Sequence, residues 1–344
     1  MQAKRPSGAT RRVRLEDLAA RCEVSVSTVS RALSSGKGVN PELRQRIREA
    51  ALKYNYAMPS AVAGRRVIVA ASSAAMIDYV RNQFTLHVLE GISERATVLA
   101  MEVATRSIAD AAQERAVLAE ALSDPEVAGL LFLTLDDEDM LAPTRGYAKP
   151  VVLVNGDDPS MRLSSIAPCN RAAAALATGY LRDLGHERIL FLMRRGRRTI
   201  ERRYEGWCDR IGISDPAELA GLTLEVDDWL PELAAAAVER RIAEGGLDFT
   251  AVLAAGDSLA VGAMMGLAAR SIRVPQDVSV VGMDGLPQAA FHNPPLTAIQ
   301  MPMREIGAAA LDLLRDHVTG PGIVPRRVEL ACQIVERAST ARRG

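Results

Sequence analysis

The sequence predicts an α/β protein: an N-terminal helix-turn-helix head followed by a two-subdomain body of doubly wound parallel sheets. After about residue 66, short apolar runs alternate with Ala/Leu-rich helical stretches, which is the pattern of βαβ units. The region before it instead contains three short stretches with apolar residues at helical spacing. With 344 residues, the chain is long enough for two or three domains.

Two of the three helices in the head are clear from their patterns. Leu15, Leu18, Ala19 and Cys22 lie at helical spacing, with two acids in the first turn. The stretch 40-NPELRQRIREAALKYNY-56 opens with an Asn that can cap a helix and a Pro at its first position.

The segment between them, 22-CEVSVSTVSRAL-33, has features of both a strand and a helix. Its first half alternates apolar and polar residues, as a half-buried strand does. Its second half places Val29 and Leu33 four residues apart, and a single strand between two helices would have no partner. We therefore predict a turn followed by a helix, Val26–Leu33, capped by Ser25.

Charge supports a DNA-binding role for this head. The net charge of the whole chain is zero only because a basic head and an acidic body cancel each other. Met1–Arg66 contains 14 Lys/Arg and 5 Asp/Glu, a net of +9, and the remaining chain carries 28 and 37, a net of −9. A solvated charged surface would give the same count, but the hydroxyl-rich second helix favours DNA in the major groove. The predicted DNA contacts are Ser25, Val26, Ser27, Thr28, Ser30, Arg31 and Ser34, with Arg31 long enough to bind guanine O6 and N7 together.

The body alternates strands and helices from residue 67 onward. Strands are predicted at Val67–Ala71, Gly129–Leu135, Val151–Asn155, Ile189–Met193, Ala251–Ala255 and Val278–Met283, and helices include Arg171–Leu184 and Leu230–Glu244. Ligands bind such sheets at the carboxyl ends of strands. Asn155, Asp257 and Asp284 stand at such ends, while Arg203 and Trp229 stand near the starts of helices. This polar set with one Trp suits a hydroxylated ligand; a capping role for Asp257 and a core position for Trp229 are the alternatives.

A series of motifs runs along almost the whole chain. They are LEDLAARCEVSVSTVSRAL in the head and AGLLFL, PVVLVNGD, LGHERILFL, RYEGW, AVLAAGDSLAVGAM, VPQDVSVVGMDG and PPLTAIQMP in the body. Together they resemble the motifs of the lactose/galactose repressor (LacI/GalR) family of bacterial transcription factors. The resemblance implies a homodimeric repressor that binds a near-palindromic double-stranded operator. It also implies a body similar to periplasmic sugar-binding proteins, with a small-molecule effector between two subdomains joined by three crossovers.

The resemblance also implies roles for individual cleft residues. Asn155, Arg203, Trp229 and Asp284 match effector-contacting positions, and Met303 matches a cleft position that is aromatic elsewhere in the family. The family's usual polar residues are replaced at three positions, by Cys169, Gly256 and Gly285. We therefore expect a pocket in the same place with altered selectivity, for a sugar or sugar derivative.

The basic run 194-RRGRRTIERR-203 leaves the charge of that effector open. Forked arginine hydrogen bonds would suit a sugar acid or sugar phosphate. A solvated charged loop, with Arg203 alone facing inward, is the competing interpretation. A corepressor-dependent regulator that senses a non-sugar molecule is the alternative function.

The resemblance divides the chain into three parts, one of which departs from the family. The parts are a head at 1–58, a shortened hinge at 59–66, and an effector-binding and dimerisation domain at 67–340, with an N-subdomain at about 67–168 plus 303–328 and a C-subdomain at about 170–301 plus 329–340. The hinge lacks the family's leucine. Either Arg65 and Arg66 enter the minor groove in its place, or they contact only phosphates.

Other classes of protein fit less well. The sequence has no P-loop, no GxGxxG after a strand, no HExxH and no GxSxG, so we predict no enzyme, no cofactor and no metal. The four cysteines form no CxxC pair, and no signal peptide or membrane segment is visible. These features favour a cytoplasmic protein over a transport-type binding protein.

The expected dimer surfaces are residues 82–97 and the segment after Asp284. Residues 331–344 lack the leucine heptads that a tetramer would need.

Overall fold

The computed structural model describes residues 14–33, 38–54, 61–73, 83–135, 137–320 and 322–343. The chain forms two compact units, one of residues 1–64 with Leu99–Met101 and the other of Arg65–Val98 with Glu102–Gly344. None of the helices in these described ranges is long and apolar enough to cross a membrane.

The described residues of the first unit form three helices, α1 (Leu15–Cys22), α2 (Val26–Leu33) and α3 (Pro41–Lys53). The predicted helix over 26–33 is thus confirmed, and the strand interpretation is wrong. Glu23 ends α1 with a left-handed backbone (φ 55°), which makes the turn into α2. Asn40 caps α3, as predicted, since its Oδ1 accepts the N–H of Glu42 at 2.9 Å.

These helices share a small apolar core. Its fully buried members are Leu18, Ala19, Cys22, Val29, Ala32, Leu33, Ile47 and Ala51. Each helix contributes residues three or four positions apart, so only one face of each helix is buried. The opposite face of α2 is exposed.

The second unit is built around two sheets. In chain order its first half runs β1 (Arg66–Ser72), α4 (Gln83–Leu99), β2 (Glu102–Ile108), α5 (Ala111–Ser123), β3 (Val127–Leu133), α6 (Glu138–Leu141), β4 (Val151–Val154) and β5 (Ser164–Pro168). Next come α7 (Asn170–Asp183), β6 (Ile189–Met193), α8 (Arg198–Ile211), α9 (Pro216–Gly221), β7 (Thr223–Glu225), α10 (Pro231–Gly245), β8 (Ala251–Ala254), α11 (Asp257–Ala269), β9 (Ser279–Asp284) and β10 (Thr297–Gln300). The chain closes with α12 (Met303–Thr319), β11 (Arg327–Leu330) and β12 (Gln333–Val335).

In the part of the chain that the structure describes, each sheet has six strands. The first, in the order β11-β5-β4-β3-β1-β2, is entirely parallel. The second, in the order β12-β10-β9-β8-β6-β7, is parallel except for β12, which pairs antiparallel with β10. Helices cover buried strands such as β3 and β6, whose residues are all buried. This is the predicted doubly wound architecture with one antiparallel edge strand added.

The chain passes between the two sheets three times. The crossovers lie between Pro168 and Asn170, between Gln300 and Met303, and between Leu330 and Gln333. β11 stays in the first sheet as far as Leu330, so the last crossover falls slightly after the expected change at 328/329. The four cysteines are all free thiols.

The structure describes most of the region predicted as a hinge, 59–66. Residues 61–64 form a turn, while 59 and 60 lie outside the described residues. Arg65 donates to the Val127 carbonyl at 3.1 Å, and Arg66 opens β1 and forms ion pairs with Glu102 and Asp124 at 3.1 and 3.0 Å. In this structure both guanidinium groups are bound by acceptors of the sheet domain.

Candidate functional site

The outer face of α2 carries most of the DNA contacts that the sequence predicts. Val26, Ser27, Ser30 and Arg31 are exposed, and Thr28 is half-buried. Ser34 lies outside the described residues. Four of the seven positions predicted from the sequence therefore lie on one exposed helix face, as reading of base edges requires.

Ser25 has a structural role at the start of this helix. Its Oγ accepts the N–H of Thr28 at 3.1 Å and lies 2.8 Å from the hydroxyls of both Ser27 and Thr28. This is the expected N-cap. The three hydroxyls form a short hydrogen-bonded row at the N-terminal end of α2, the end that a recognition helix presents to DNA.

A cavity of about 340 Å³ lies where the carboxyl ends of the two sheets face each other. It is lined by Ser72, Gln83, Phe84, Thr85, Thr134, Asn155, Arg194, Arg197, Thr199, Ile200, Arg203, Asp228, Trp229, Ala255, Ser258, Asp284 and Leu286. Four of the predicted effector residues are in this wall: Asn155, Arg203, Trp229 and Asp284. Their convergence follows from the parallel topology, which brings the ends of distant strands together.

Arg203 forms the floor of the cavity and is only 4% exposed. Its Nε donates to Asn170 Oδ1 at 2.8 Å, and its Nη1 donates to the carbonyls of Ala255 and Met283. Its guanidinium also lies 3.7 Å from Asp284. Because protein acceptors bind most of its donors, Arg203 joins the ends of β8 and β9 as well as facing the cavity.

Asp257 and Asp284 form a reciprocal pair beside Arg203. The N–H of each is bound by the carboxylate of the other at 3.1 Å, and Asp257 also accepts the N–H of Leu286 at 2.8 Å. Burial raises the pKa of both carboxyls, the Asp284 charge raises that of Asp257 further, and Arg203 partly opposes the rise at Asp284. The pair therefore holds a proton more readily than ordinary aspartates do.

Two predicted effector residues are not in the cavity wall. Asp257 lies behind Asp284, where its carboxylate binds backbone N–H groups of the β9 end, so its role is structural. Met303 begins α12 and is 5% exposed, packed at the crossover after β10. Neither side chain lines the cavity.

Two of the departures from the family pattern have steric explanations. A Cβ at Gly256 would lie 3.2 Å from the Trp229 ring and 3.3 Å from Asp284 Oδ2, so the missing side chain leaves room for the indole. Gly285 has φ +70°, and a Cβ there would lie 2.4 Å from Gln300 Cα. A longer side chain at Gly285 would clash with backbone, whereas Gly256 sets the shape of the wall.

Three polar atoms in the wall have no hydrogen-bond partner among the described residues. They are Thr134 Oγ1, Asn155 Oδ1 and Thr199 Oγ1. Buried polar atoms are rarely left unsatisfied, since each costs about 1–3 kcal/mol. The two threonines were missed from the sequence, although Thr134 directly follows β3 at the carboxyl edge of its sheet.

The basic run 194–203 is mostly engaged by protein groups. Arg195 pairs with Glu225 and Glu201 at 2.5 and 3.3 Å. Arg197 donates to the Asn155 carbonyl at 2.5 Å. Arg194 and Arg197 line the cavity beside Arg203, so the competing picture of a solvated loop with one inward arginine is too simple.

Comparisons with known proteins agree with this architecture. Residues 14–59 match the family "Bacterial regulatory proteins, lacI family", and residues 178–340 match "Periplasmic binding protein-like domain". The chain is 30% identical to the HTH-type transcriptional regulator MalR of Streptomyces coelicolor, over 95% of this chain and 96% of that protein. It is 27% identical to the HTH-type transcriptional repressor CytR of Escherichia coli, with the same coverage.

Among solved structures, the lac repressor dimer bound to operator and an anti-inducer superposes with a TM-score of 0.69 at 25% identity, covering 96% of this chain and all of that one. These relatives are transcriptional regulators rather than enzymes. With a helix-turn-helix head, a two-sheet body and a regulator matched at 30% identity over nearly its full length, the chain belongs to the LacI family of bacterial transcriptional regulators.

Proposed function

We propose that this protein is a dimeric repressor that binds a near-palindromic operator in the cytoplasm and changes its operator affinity when a sugar occupies the cavity. The exposed face of α2, with Ser27, Ser30 and Arg31, supports major-groove reading. The relatives support repression, since CytR is named a repressor and the lac repressor structure contains an operator.

The observation that carries the sugar assignment is the hydrogen-bonding character of the cavity. Thr134, Asn155 and Thr199 each offer an unsatisfied polar atom. Asp284 lies in the cavity wall, and its carboxyl, whose pKa burial raises, can pair with a ligand hydroxyl. A ligand with several hydroxyl groups suits a wall of this polar character.

The size and walls of the cavity narrow this class further. A volume of about 340 Å³ is near the lower end of small-molecule sites, which favours a mono- or disaccharide. The half-buried Trp229 provides a flat apolar face for a sugar ring. Arg194 and Arg197 also line the cavity, and their positive charges would suit a sugar acid. One solved relative at 26% identity and TM-score 0.68 is a regulator CelR–cellobiose complex, which covers 95% of this chain.

The function is tested by recovering the operator. Purified protein without effector is incubated with sheared genomic DNA, and the retained fragments are sequenced. We expect one near-palindromic motif beside carbohydrate-uptake or catabolic genes. The substrates of the proteins that these genes encode, together with cellobiose, are then tested for their ability to release the protein from that operator. Recovery of no common motif would contradict the repressor proposal; recovery only after a small molecule is added would indicate a corepressor.

Dimerisation is proposed from two exposed apolar side chains in the expected surfaces. Phe291, in the segment after Asp284, is 87% exposed, and Leu86 on α4 is 42% exposed. The two segments are held together by a hydrogen bond of 2.9 Å from Gln288 to Gln83. An aromatic ring this exposed is typical of an interface.

Phe291→Asp is expected to convert the dimer to a monomer, because the charge would be buried without a partner at the interface. Sedimentation velocity would then give a single species of half the wild-type mass, and operator affinity would fall about 100-fold or more as one half-site is lost. Leu247→Asp, also on an exposed apolar side chain (44% exposed), is the control that should stay dimeric. A Phe291→Asp protein that sediments as wild type would remove this surface from the interface.

A further inference from the structure

Asp157 is a buried carboxylate with three arginine partners. It is 5% exposed and follows β4 on the loop from the first sheet. Arg198 Nε donates to its Oδ1 at 2.7 Å, Arg202 Nη2 donates to its Oδ2 at 2.6 Å, and Arg327 Nη1 lies 2.8 Å from the same Oδ2. One buried negative charge therefore holds three positive charges together.

The partners come from both halves of the body. Arg327 belongs to β11 of the first sheet, whereas Arg198 and Arg202 belong to the first turns of α8, which follows β6 of the second sheet. The same turns of α8 carry Thr199 and Arg203, which line the cavity. Asp157 thus links the first sheet domain directly to the helix that presents part of the cavity wall.

A neighbouring residue provides a contrast. Asp158 is 6% exposed and pairs with Arg145 at 2.6 Å, but Arg145 belongs to the same half as Asp158. Its other bonds are to the N–H groups of Ser160, Arg162 and Leu163 on its own loop. Two adjacent buried aspartates therefore differ in one respect: only Asp157 reaches across the cleft.

We propose that Asp157 is a positioning residue that clamps α8 against the first half of the body and so sets how far the cleft opens. Without its carboxylate, Arg198, Arg202 and Arg327 would repel one another, and this repulsion would drive the halves apart. Among the described residues, the Arg197–Asn155 bond and the Gln288–Gln83 bond also span the cleft, and neither of these two bonds joins opposite charges. The link to effector binding rests on the proposed function, but the clamp itself does not.

The charge state of the clamp is stable near neutrality. Burial tends to raise the pKa of Asp157, but hydrogen bonds from Arg202 and Arg198 and the charges of Arg202 and Arg327 outweigh it and hold the pKa below its ordinary value. The stabilisation from this shift is present above the ordinary aspartate pKa and is lost only as the pH falls through the lowered value. The clamp is therefore ionised at any pH used for operator binding.

Trp229 provides a readout of cleft opening in the full-length protein without any ligand. The chain has two tryptophans, and Trp207 is completely buried and stacked on Phe191 at 5.6 Å. Trp229 lines the cavity and is half-buried, so acrylamide quenching of the fluorescence reports mainly its accessibility. Asp157→Asn should raise the quenching constant roughly two-fold, as an opened cleft exposes the ring.

Three further variants make the test specific. Asp158→Asn should leave quenching unchanged, because its pair lies within one half. Asp157→Glu, which keeps the charge, should restore most of the wild-type value, and Arg202→Gln should give an intermediate one. Thermal melting verifies that each variant is folded, and Arg202→Gln carries the test if Asp157→Asn does not fold. The clamp would be overturned if folded Asp157→Asn and wild-type protein are quenched equally, or if Asp158→Asn shows the same increase in quenching. Failure to find an operator or a sugar would leave this readout unaffected.

Discussion

Arg203→Ala is expected to lower the free energy of unfolding by about 3–5 kcal/mol, because it removes one partner from a buried charged network. Asn170, the carbonyls of Ala255 and Met283, and Asp284 would all lose a donor or counter-charge. The floor of the cavity would then collapse or fill with water. Loss of the effector response should accompany this destabilisation, since the ends of β8 and β9 would no longer be joined.

Urea unfolding followed by circular dichroism measures the change, and Arg195→Ala is the matched control. Arg195 lies on the same basic run, but its pairs with Glu201 and Glu225 are exposed, so its loss should cost less than about 1 kcal/mol. Operator binding at low temperature tests whether the head remains active in both variants. If Arg203→Ala unfolds at the same urea concentration as Arg195→Ala and effector still releases it from the operator, the Arg203 network neither stabilises the fold nor supports the effector response.

The strands that the sequence predicted share a physical property. β1, β3, β4, β6, β8 and β9 are all interior strands, and their buried residues form continuous apolar runs. Four of the six missed strands, β2, β7, β11 and β12, are the edges of the two sheets. Edge strands expose one or more sides to water, so β11 has the mixed composition RVEL and carries no such run.

The cavity residues divide in a similar way. Asn155 and Asp284 could be predicted because parallel sheets bind ligands at the carboxyl ends of strands. Thr134 obeys the same rule and was overlooked, although it has a left-handed backbone (φ 59°) like Asn155 (φ 55°). Strained backbone at a strand end is characteristic of binding sites, but it is visible only in the structure.

Long-range pairing of charges could not be deduced from the sequence. Arg66 was interpreted through its place beside the head, yet its partners Glu102 and Asp124 are 36 and 58 residues away. Glu114 has the appearance of a solvated helix residue but is completely buried, and burial raises its pKa to about 7. In each case the neighbours that decide the side chain's role are brought together only by folding.

Arg31→Ala is expected to weaken operator binding about 30-fold or more, because a bidentate contact to guanine contributes about 1–3 kcal/mol and a dimer would lose two of them. Other arginines of the head are committed to its fold: Arg21 stacks on Tyr54 at 3.8 Å, and Arg46 donates to the Cys22 carbonyl at 3.0 Å. Arg31 instead lies on the exposed face of α2, with its Nε on the Ser27 carbonyl of the same helix at 3.3 Å. The fork beyond Nε is therefore directed away from the core of the head.

Fluorescence anisotropy at fixed salt, with the recovered operator and with single-base variants of each half-site, distinguishes base reading from phosphate contact. If Arg31 binds guanine, Arg31→Ala should lose its preference at one position per half-site, and Arg31→Lys should recover binding but only part of that preference, since lysine lacks the fork. If Arg31 binds only phosphate, the alanine variant should bind every sequence more weakly, with a smaller salt dependence and the same base preference. A uniform loss of this kind would move sequence reading from Arg31 to the hydroxyl row at the start of α2, whose short side chains would then have to contact the bases directly.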